Sequence, residues 1–316
     1  MTAGQPGTVA LVTHPACLGH RPHAGHAERP ERLARVLAAL EADRFRALAR
    51  LEAPAATEAE LCRVHDDAYV RGVLTREVPE GEVVALDVDT DQSSGSAEAA
   101  LRAAGGAILG VDLVLGGGAK RVFVATRPPG HHAVRAGAMG FCIFSNAAVA
   151  ALHARARWGV RRVAVVDFDV HHGNGTAEAF APDADLFYAS SHQMPLYPGT
   201  GKASERGVAG NVVNAPLAPG GGGGEFRAAW SETLLPALVA FAPELLIVSA
   251  GFDAHRADPL AQLELETDDF TWISERLLEA AGQCCGGRLV SLLEGGYDLD
   301  ALAAAAAAHV AALLDA

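Results

Sequence analysis

The sequence predicts an α/β domain built on an open parallel sheet with helices on both faces. Short β-branched runs alternate with longer helical patterns along the 316 residues, and these runs are apolar throughout. A strand that is apolar throughout is buried on both faces, and its alternation with helices is typical of doubly wound parallel sheets. The sequence shows no solenoid-type repeat period, so we interpret residues 1–316 as a single domain.

Four runs predict the buried strands, at residues 122–125, 163–166, 245–248 and 289–292, and an apolar run at 8–12 also has strand length. Helices are predicted over residues 31–40, 97–115, 147–156, 226–241, 268–281 and 299–314. The last is rich in alanine, the residue of highest helix propensity, and is too short to span a bilayer comfortably. The glycine run 220–224 lacks the Lys-Ser/Thr of a P-loop and is interpreted as a linker.

Composition narrows the class of protein. Half of the residues are hydrophobic and 20% are charged, which is typical of a globular chain. The formal net charge of −13 disfavours direct binding to nucleic acid and suits a cationic partner. The five cysteines have no C-x-x-C spacing, and no basic segment followed by a long apolar run opens the chain. We therefore expect free, buried thiols, a cytoplasmic location and no membrane segment.

The residues that follow the four buried strands carry the chemistry. Ligands of open parallel sheets bind beyond the carboxyl ends of the strands. In chain order these ends lead to the Arg-Pro-Pro-Gly-His-His run 127–132, to the Asp-Phe-Asp-Val-His-His-Gly-Asn run 167–174, to Asp253 and Asp258, and to the Glu-Gly-Gly-Tyr run 294–297. Taken singly, a His-His pair, an Asp-Pro turn or a Gly-Gly-Tyr turn is ordinary. Their joint occurrence at the ends of successive strands predicts a site.

A metal ion explains the acidic run best. Asp167, Asp169 and His171 alternate, so in an extended segment they share one face. Buried carboxylates need a partner, and carboxylates combined with an imidazole suit zinc better than Mg²⁺ or Ca²⁺. Three protein ligands with one open position are the catalytic pattern, and Asp258 is the predicted third ligand beside Asp169 and His171.

Six segments together resemble the histone deacetylase family: residues 127–132, 140–141, 167–176, 197–201, 249–260 and 294–297. The resemblance runs from about His14 to Leu299 and implies the arginase-deacetylase fold, with an eight-stranded parallel sheet. Asn174, the Ala254-His255-Arg256 run and the Glu-Gly-Gly-Tyr turn resemble the class II branch and its bacterial relatives.

The resemblance implies roles for individual residues. Asp169, His171 and Asp258 match the family's zinc ligands, and Tyr297 matches the tyrosine that donates a hydrogen bond to the substrate carbonyl. The tandem histidines His131 and His132 would be partnered by Asp167 and Asn174, respectively. Because asparagine carries no negative charge, His132 should be the less basic ring, suited to moving a proton near neutral pH.

The resemblance also implies a substrate channel and monovalent cations. Phe141 and Tyr197 would wall the channel, with Gly140 beside them, and Leu265 stands where a polyamine-selective relative would carry Glu. An inner potassium site would use Asp167, Asp169 and His171 with Ser190 and Ser191. An outer site would draw on backbone near Phe180, Asp183, Leu186 and Asn211.

The expected activity is therefore zinc-dependent removal of acetyl or short acyl groups from lysine side chains or similar amines. An acetylpolyamine deacetylase is the alternative, favoured by the acidic surface and by Glu264 and Glu266 beside Leu265. A catalytically silent acyl-lysine binding protein should lack a ligand, a histidine or the tyrosine, and all are present. An arginase-like ureohydrolase would need more carboxylates for a two-metal cluster.

Overall fold

A parallel sheet of eight strands organises the part of the chain that the computed structural model describes, residues 9–316. The strands are β1 Val9–Thr13, β2 Ala49–Glu52, β3 Val83–Ala85, β4 Asp91–Ser93, β5 Arg121–Val124, β6 Val163–Asp167, β7 Leu186–Gln193, β8 Val212–Leu217, β9 Leu245–Ala250 and β10 Leu289–Leu293. Strands β3 and β4 form a separate antiparallel pair, and the others pair in the order β2-β1-β5-β10-β9-β6-β7-β8. Every neighbouring pair in the large sheet is parallel.

Helices connect the strands and cover the sheet. They are α1 Pro30–Ala39, α2 Glu58–Leu61, α3 Asp67–Leu74, α4 Ser96–Leu115, α5 Asn146–Trp158, α6 Asn174–Phe180, α7 Gly223–Ala229, α8 Leu235–Phe241, α9 Thr267–Cys285 and α10 Leu299–Asp315. Short 3₁₀ turns lie at Pro15–Gly19 and Asp43–Phe45, and one π turn, Trp230–Leu234, joins α7 to α8.

The two faces of the sheet pack against different helices. On β5, Val122 and Val124 face a core built largely with residues of α4 and α5, whereas Phe123 faces the core that includes α1, α9 and α10. This alternation follows from strand geometry, which sends successive side chains to opposite faces. Burial on both faces explains why the central strands are apolar throughout, and the predicted single α/β domain with a parallel sheet is confirmed for the described residues.

Two details differ from the sequence predictions. The helix predicted over residues 226–241 begins earlier, at Gly223, and passes through the π turn. The glycine run 220–224 is therefore not a plain linker: Gly220 donates its N–H to Gln262 O, and Gly222 accepts a helical bond from Phe226 N.

The sequence also predicts free thiols and makes predictions for the N-terminal segment. All five cysteines are unpaired; Cys17, Cys142 and Cys285 are buried, while Cys62 and Cys284 are partly exposed. Residues 1–8, which include the start of the first predicted strand and the segment judged to carry no export signal, lie outside the described residues. Within residues 9–316 no helix has the length and apolar character needed to cross a membrane.

Candidate active site

Four strand ends meet at the centre of the large sheet. Strands β5, β10, β9 and β6 are neighbours in that order, so the loops after them lie side by side at the carboxyl edge. These loops carry the tandem histidines, the Glu-Gly-Gly-Tyr turn, the two distal aspartates and the Asp-x-Asp-x-His run, respectively. The predicted convergence of these polar residues is thus a consequence of strand order.

The tandem histidines have the predicted hydrogen-bond partners. His131 Nδ1 lies 3.0 Å from Asp167 Oδ2, and His132 Nδ1 lies 2.7 Å from Asn174 Oδ1. The two rings lie 4.0 Å apart, centroid to centroid, and both side chains are buried. Each Nδ1 is therefore engaged by its partner, which fixes the orientation of the ring and leaves Nε2 for chemistry.

The different partners push the pKa values of the two rings apart. Burial alone lowers the pKa of His131, but the carboxylates of Asp169 and Asp167 outweigh it and hold that pKa well above the ordinary value. Burial also lowers the pKa of His132, and the positive charges of His131 and His171 add to the effect, so that pKa lies well below the ordinary value. The two shifts favour the protonated form of His131 and the neutral form of His132.

A buried acidic cluster lies beside the histidines. Ligand atoms of Asp169, His171 and Asp253 all lie within 4.8 Å of one another, with His171 Nδ1 3.1 Å from Asp169 Oδ1 and 3.2 Å from Asp253 Oδ2. Burial, together with the charge of Asp169, raises the pKa of Asp253 to about 7. Crowded buried carboxylates of this kind repel one another unless a cation joins them, so the donor set fits a transition metal ion such as zinc.

The predicted third ligand, Asp258, lies at the edge of this cluster and not within it. Its Oδ2 accepts a hydrogen bond of 2.7 Å from Tyr297 N, and its Oδ1 accepts one of 3.0 Å from Leu260 N. Its charge nevertheless contributes to the raised pKa of Asp253. Asp253 has no role in the site predicted from the sequence. Its position beside Asp169 and His171 depends on the pairing of β9 with β6.

A pocket of about 230 Å³ leads to these groups. It is lined by Asp89, His132, Gly140, Phe141, His171, Leu196, Tyr197, Leu260 and Tyr297. The ring of Phe141 meets that of Tyr297 at 5.7 Å and the ring of Tyr197 meets that of His132 at 5.1 Å, both edge to face. The predicted aromatic walls and the predicted tyrosine therefore share one pocket with a catalytic histidine candidate.

Leu265 does not line that pocket. It is fully buried in the core, where its N–H bonds to Ala254 O and its carbonyl accepts from Arg256 N. Leu260, two residues after Asp258, stands in the pocket wall instead. Leu265 lies seven residues after the predicted ligand Asp258, whereas the same spacing counted from Asp253, a member of the buried cluster, leads to Leu260.

Glu294 is a second residue that sequence reasoning passed over. Its Oε2 accepts hydrogen bonds from Gly130 N at 2.7 Å and His131 N at 3.2 Å, and its Oε1 accepts one from Ser249 Oγ at 3.0 Å. The carboxylate thus fastens the loop of the tandem histidines to the ends of β9 and β10. Burial raises the pKa of Glu294 to about 7, although the nearby His131 charge opposes the rise.

A buried ion-pair network supports Tyr297 from behind. The Arg32 guanidinium lies 4.8 Å from the centroid of the Tyr297 ring and donates hydrogen bonds of 2.5 Å to Gly296 O and Glu294 O. Glu28, fully buried, pairs with Arg32 at 3.0 Å and with Arg127 through a second contact at 2.6 Å. The sequence offers no signal for this, because an arginine on an amphipathic helix usually faces solvent.

The residues predicted for the inner potassium site are close together, but their hydroxyls are already engaged. Ser190 is paired with Asp167 in the register of β7 and β6, and its Oγ lies 2.9 Å from His192 Nδ1. Ser191 Oγ accepts a hydrogen bond of 3.0 Å from Trp230 Nε1. Potassium at this position stays a prediction.

Comparisons with known proteins agree with the fold and the site. Residues 26–313 match the family model of the histone deacetylase domain. "Histone deacetylase 14, chloroplastic" of Arabidopsis thaliana is 39% identical over 318 residues, covering 95% of this chain and 75% of its own length. The "Histone deacetylase-like amidohydrolase" of Pseudomonas aeruginosa is 42% identical over 279 residues, covering 87% and 73%.

A solved structure supports the same relationship. The crystal structure of the HDA15 HD domain superposes with a TM-score of 0.92 at 36% identity and covers 98% of this chain and 89% of that one. The fold and the relatives define a hydrolase of the deacetylase and amidohydrolase class. The chain belongs to the histone deacetylase family.

Proposed function

We propose that this protein is a zinc-dependent deacetylase that removes acetyl or short acyl groups from lysine side chains or similar amines. The observation that carries the proposal is the pocket itself. A neutral imidazole, His132, and a phenol, Tyr297, line one cavity of about 230 Å³ with His171, a member of the buried acidic cluster. A general base, an oxyanion donor and a metal ligand are the parts that metal-assisted amide hydrolysis needs.

Asp169, His171 and Asp253, whose ligand atoms lie within 4.8 Å of one another, would hold the zinc ion. When bound, zinc supplies Lewis acidity toward an amide carbonyl and a water molecule. Asp258, the third ligand expected from the sequence, is not a member of that cluster, and its two carboxylate oxygens accept hydrogen bonds from Tyr297 N and Leu260 N. A carboxylate beside the ligands typically changes metal affinity without being a ligand itself, and this separates Asp253 from Asp258 experimentally.

His132 is the proposed general base. Its Nδ1 is held by Asn174, which contributes no charge, so the ring is neutral at the start of the reaction and Nε2 can take a proton from the attacking water. The same nitrogen then returns the proton to the leaving amine. His131, held as an imidazolium by Asp167 and Asp169, stabilises negative charge that develops nearby.

Tyr297 is the proposed oxyanion donor. Burial raises the pKa of its hydroxyl well above the ordinary value, and the Arg32 charge only partly offsets this rise, so the hydroxyl keeps its proton for donation. The Tyr297 N–H is fixed by Asp258, and its ring is held between Phe141 and Arg32. Such preorganised donors stabilise charge in the transition state without reorganising.

The pocket lining favours a substrate with an apolar chain. The rings of Phe141 and Tyr197 both line the pocket and suit the methylene chain of an acyl-lysine. At the mouth, Asp89 Oδ1 accepts a hydrogen bond of 3.0 Å from Gly140 N, and its carboxylate can bind a backbone N–H or an ammonium of the substrate. Asp91, a second acidic residue two positions later, is instead paired with His23.

An acetylpolyamine is the second candidate substrate, and Asp89 in the pocket lining favours it. Leu260 in the same wall argues for acyl-lysine, because it offers no charge to an inner ammonium. Acetate release from an acetyl-lysine peptide and from acetylputrescine, at equal concentrations, tests the choice. A higher kcat/KM on the peptide supports acyl-lysine, and the opposite ranking transfers the proposal to acetylpolyamines.

Zinc content tests the proposed ligand set. Asp253→Asn should lose bound zinc and turnover together, whereas Asp258→Asn should weaken zinc affinity by roughly 10–100-fold and still bind one ion per chain. Asp268→Asn, at an exposed position in the first turn of α9, is the matched control and should retain both properties. Full zinc content in Asp253→Asn together with loss in Asp258→Asn would assign the third ligand to Asp258.

A further inference from the structure

The side-chain amide of Asn211 lies inside a cage of three backbone carbonyls. Asn211 Nδ2 donates to Phe180 O at 2.9 Å, to Asp183 O at 3.0 Å and to Leu186 O at 2.9 Å. Asn211 is only 3% exposed and directly precedes β8. The three carbonyls come from the end of α6, the following loop and the first residue of β7.

The orientation of the amide is set by its other end. Asn211 Oδ1 accepts a hydrogen bond of 3.2 Å from Ala209 N. If the amide were turned over, its NH₂ group would face that N–H donor and its oxygen would face three carbonyl oxygens. An asparagine amide offers two donors and one acceptor, and only the observed orientation matches donors to acceptors at both ends.

The backbone near the amide is shaped to fit it. Gly207 has a φ of +65°, and a Cβ built there would lie 2.5 Å from Asn211 Oδ1. Asn211 O in turn accepts from Tyr188 N on β7. The Asn211 side chain is therefore packed on several sides. Its hydrogen bonds connect the start of β8 to the start of β7 and to the end of α6.

This arrangement disagrees with a monovalent cation at the outer position implied by the family resemblance. That site would use carbonyls of the same residues, and a cation bound among them would have to take the place of the amide nitrogen. The Asp183 side chain offers no spare ligand, because Arg155 and the backbone N–H of Asp185 already engage its two oxygens. The residues present here do not fit an ion in that cage.

We propose that Asn211 replaces the outer monovalent cation in this chain. Its two N–H hydrogens, shared among the three carbonyls, take the place that a bound ion would otherwise occupy, so this corner of the sheet is held by a covalently attached donor and needs no potassium. The proposal concerns the fold and not turnover, so it stands or fails independently of the deacetylase assignment.

Thallium(I), which takes potassium sites and scatters anomalously, tests the wild-type chain directly. Crystals of the full chain soaked in thallium acetate should show no anomalous peak within bonding distance of the carbonyls of Phe180, Asp183 and Leu186. A thallium peak bonded to those three oxygens would overturn the proposal.

Asn211→Asp tests the same point in solution, because it places an isosteric carboxylate against the three carbonyls. In choline chloride its Tm should fall by roughly 5–10 °C, since a buried carboxylate then replaces the amide donor against three carbonyl oxygens. Potassium chloride at equal ionic strength should restore much of the loss, because a cation can displace the carboxylate from the carbonyls and bind between the two.

Asn214→Asp is the matched control, since Asn214 is another buried asparagine on β8 whose amide lies farther, 3.4 Å, from two carbonyls. Its response to potassium should equal that of the wild type, which also cancels any effect of an inner site. Equal potassium responses in all three proteins would show that the cage is not of the cation-binding type and would overturn the proposal. If Asn211→Asp does not fold, the thallium map of the wild type decides alone.

Discussion

Replacing Asn174 by aspartate should move the acidic limb of the pH–rate profile. Asn174 Oδ1 lies 2.7 Å from His132 Nδ1, so the variant would place a carboxylate on the proposed general base. Two opposite charges about 4 Å apart attract by about 4 kcal/mol at an effective dielectric constant near 20, which is an upper bound of about three pKa units. Observed shifts from one adjacent charge are about one to three units.

The sign follows from the role of the ring. A raised pKa keeps His132 protonated up to a higher pH, and a protonated ring cannot accept a proton from water. The fall of kcat/KM at low pH should therefore begin about one to three units higher in Asn174→Asp, while the rate on the alkaline side of the new pKa stays close to that of the wild type.

The assay is acetate release from an acetyl-lysine peptide, with kcat/KM measured from pH 5 to pH 9. Tyr297→Phe is the control, because it should lower the rate at every pH without moving the acidic limb. An acidic limb that stays in place in Asn174→Asp, in a folded variant with normal zinc content, would refute His132 as the base whose protonation limits the rate.

Three further predictions concern single residues. Tyr297→Phe should lower kcat by roughly 10²–10³-fold with zinc content unchanged, as measured by steady-state kinetics and metal analysis; loss of zinc in this variant would point to a structural role instead. Glu294→Ala should lower the free energy of unfolding by about 2–5 kcal/mol, because the N–H groups of Gly130 and His131 lose their acceptor. Glu294→Gln keeps an acceptor and should lose less stability in urea denaturation. Equal losses in the two variants would contradict this role of Glu294. Burial lowers the pKa of His309 to about 3. Below pH 6.5 the ring therefore takes up a proton when the chain unfolds, which favours the unfolded state. This one residue should make the chain about 2 kcal/mol less stable at pH 5 than at pH 7. His309→Gln should lose that share of the pH dependence in urea titrations, and an unchanged difference between the two pH values would contradict it.

The central strands were predictable because they are apolar on both faces. Strands β5, β6, β9 and β10 and the long helices lie within a few residues of their predicted positions. Strand β7 is also buried throughout, but its sequence, Leu-Phe-Tyr-Ala-Ser-Ser-His-Gln, mixes apolar and polar residues. Its serines and histidine are paired inside the protein with groups distant in the sequence or on the same strand, and that pairing cannot be seen in a local pattern.

The site was predictable to the extent that its residues follow strand ends. Asp169 and His171 lie together as the alternation predicts, and each tandem histidine meets its expected partner. Asp253 and Glu294 belong to the strand-end runs named from the sequence, but no role could be predicted for them. Their contacts depend on which strands are neighbours in the sheet. Leu265 was chosen by counting seven residues from Asp258, and the same count from Asp253 reaches Leu260, which stands in the pocket wall.

Zinc titration of the metal-free chain tests the account most directly. The chain is stripped with a chelator, its fold is checked by circular dichroism, and acetate release from an acetyl-lysine peptide is followed as zinc is added back. The stripped chain should release no acetate, and acetate release should recover fully at about one zinc ion per chain. Undiminished release without metal, or a folded chain that binds zinc and releases no acetate from any acetylated amine, would contradict it.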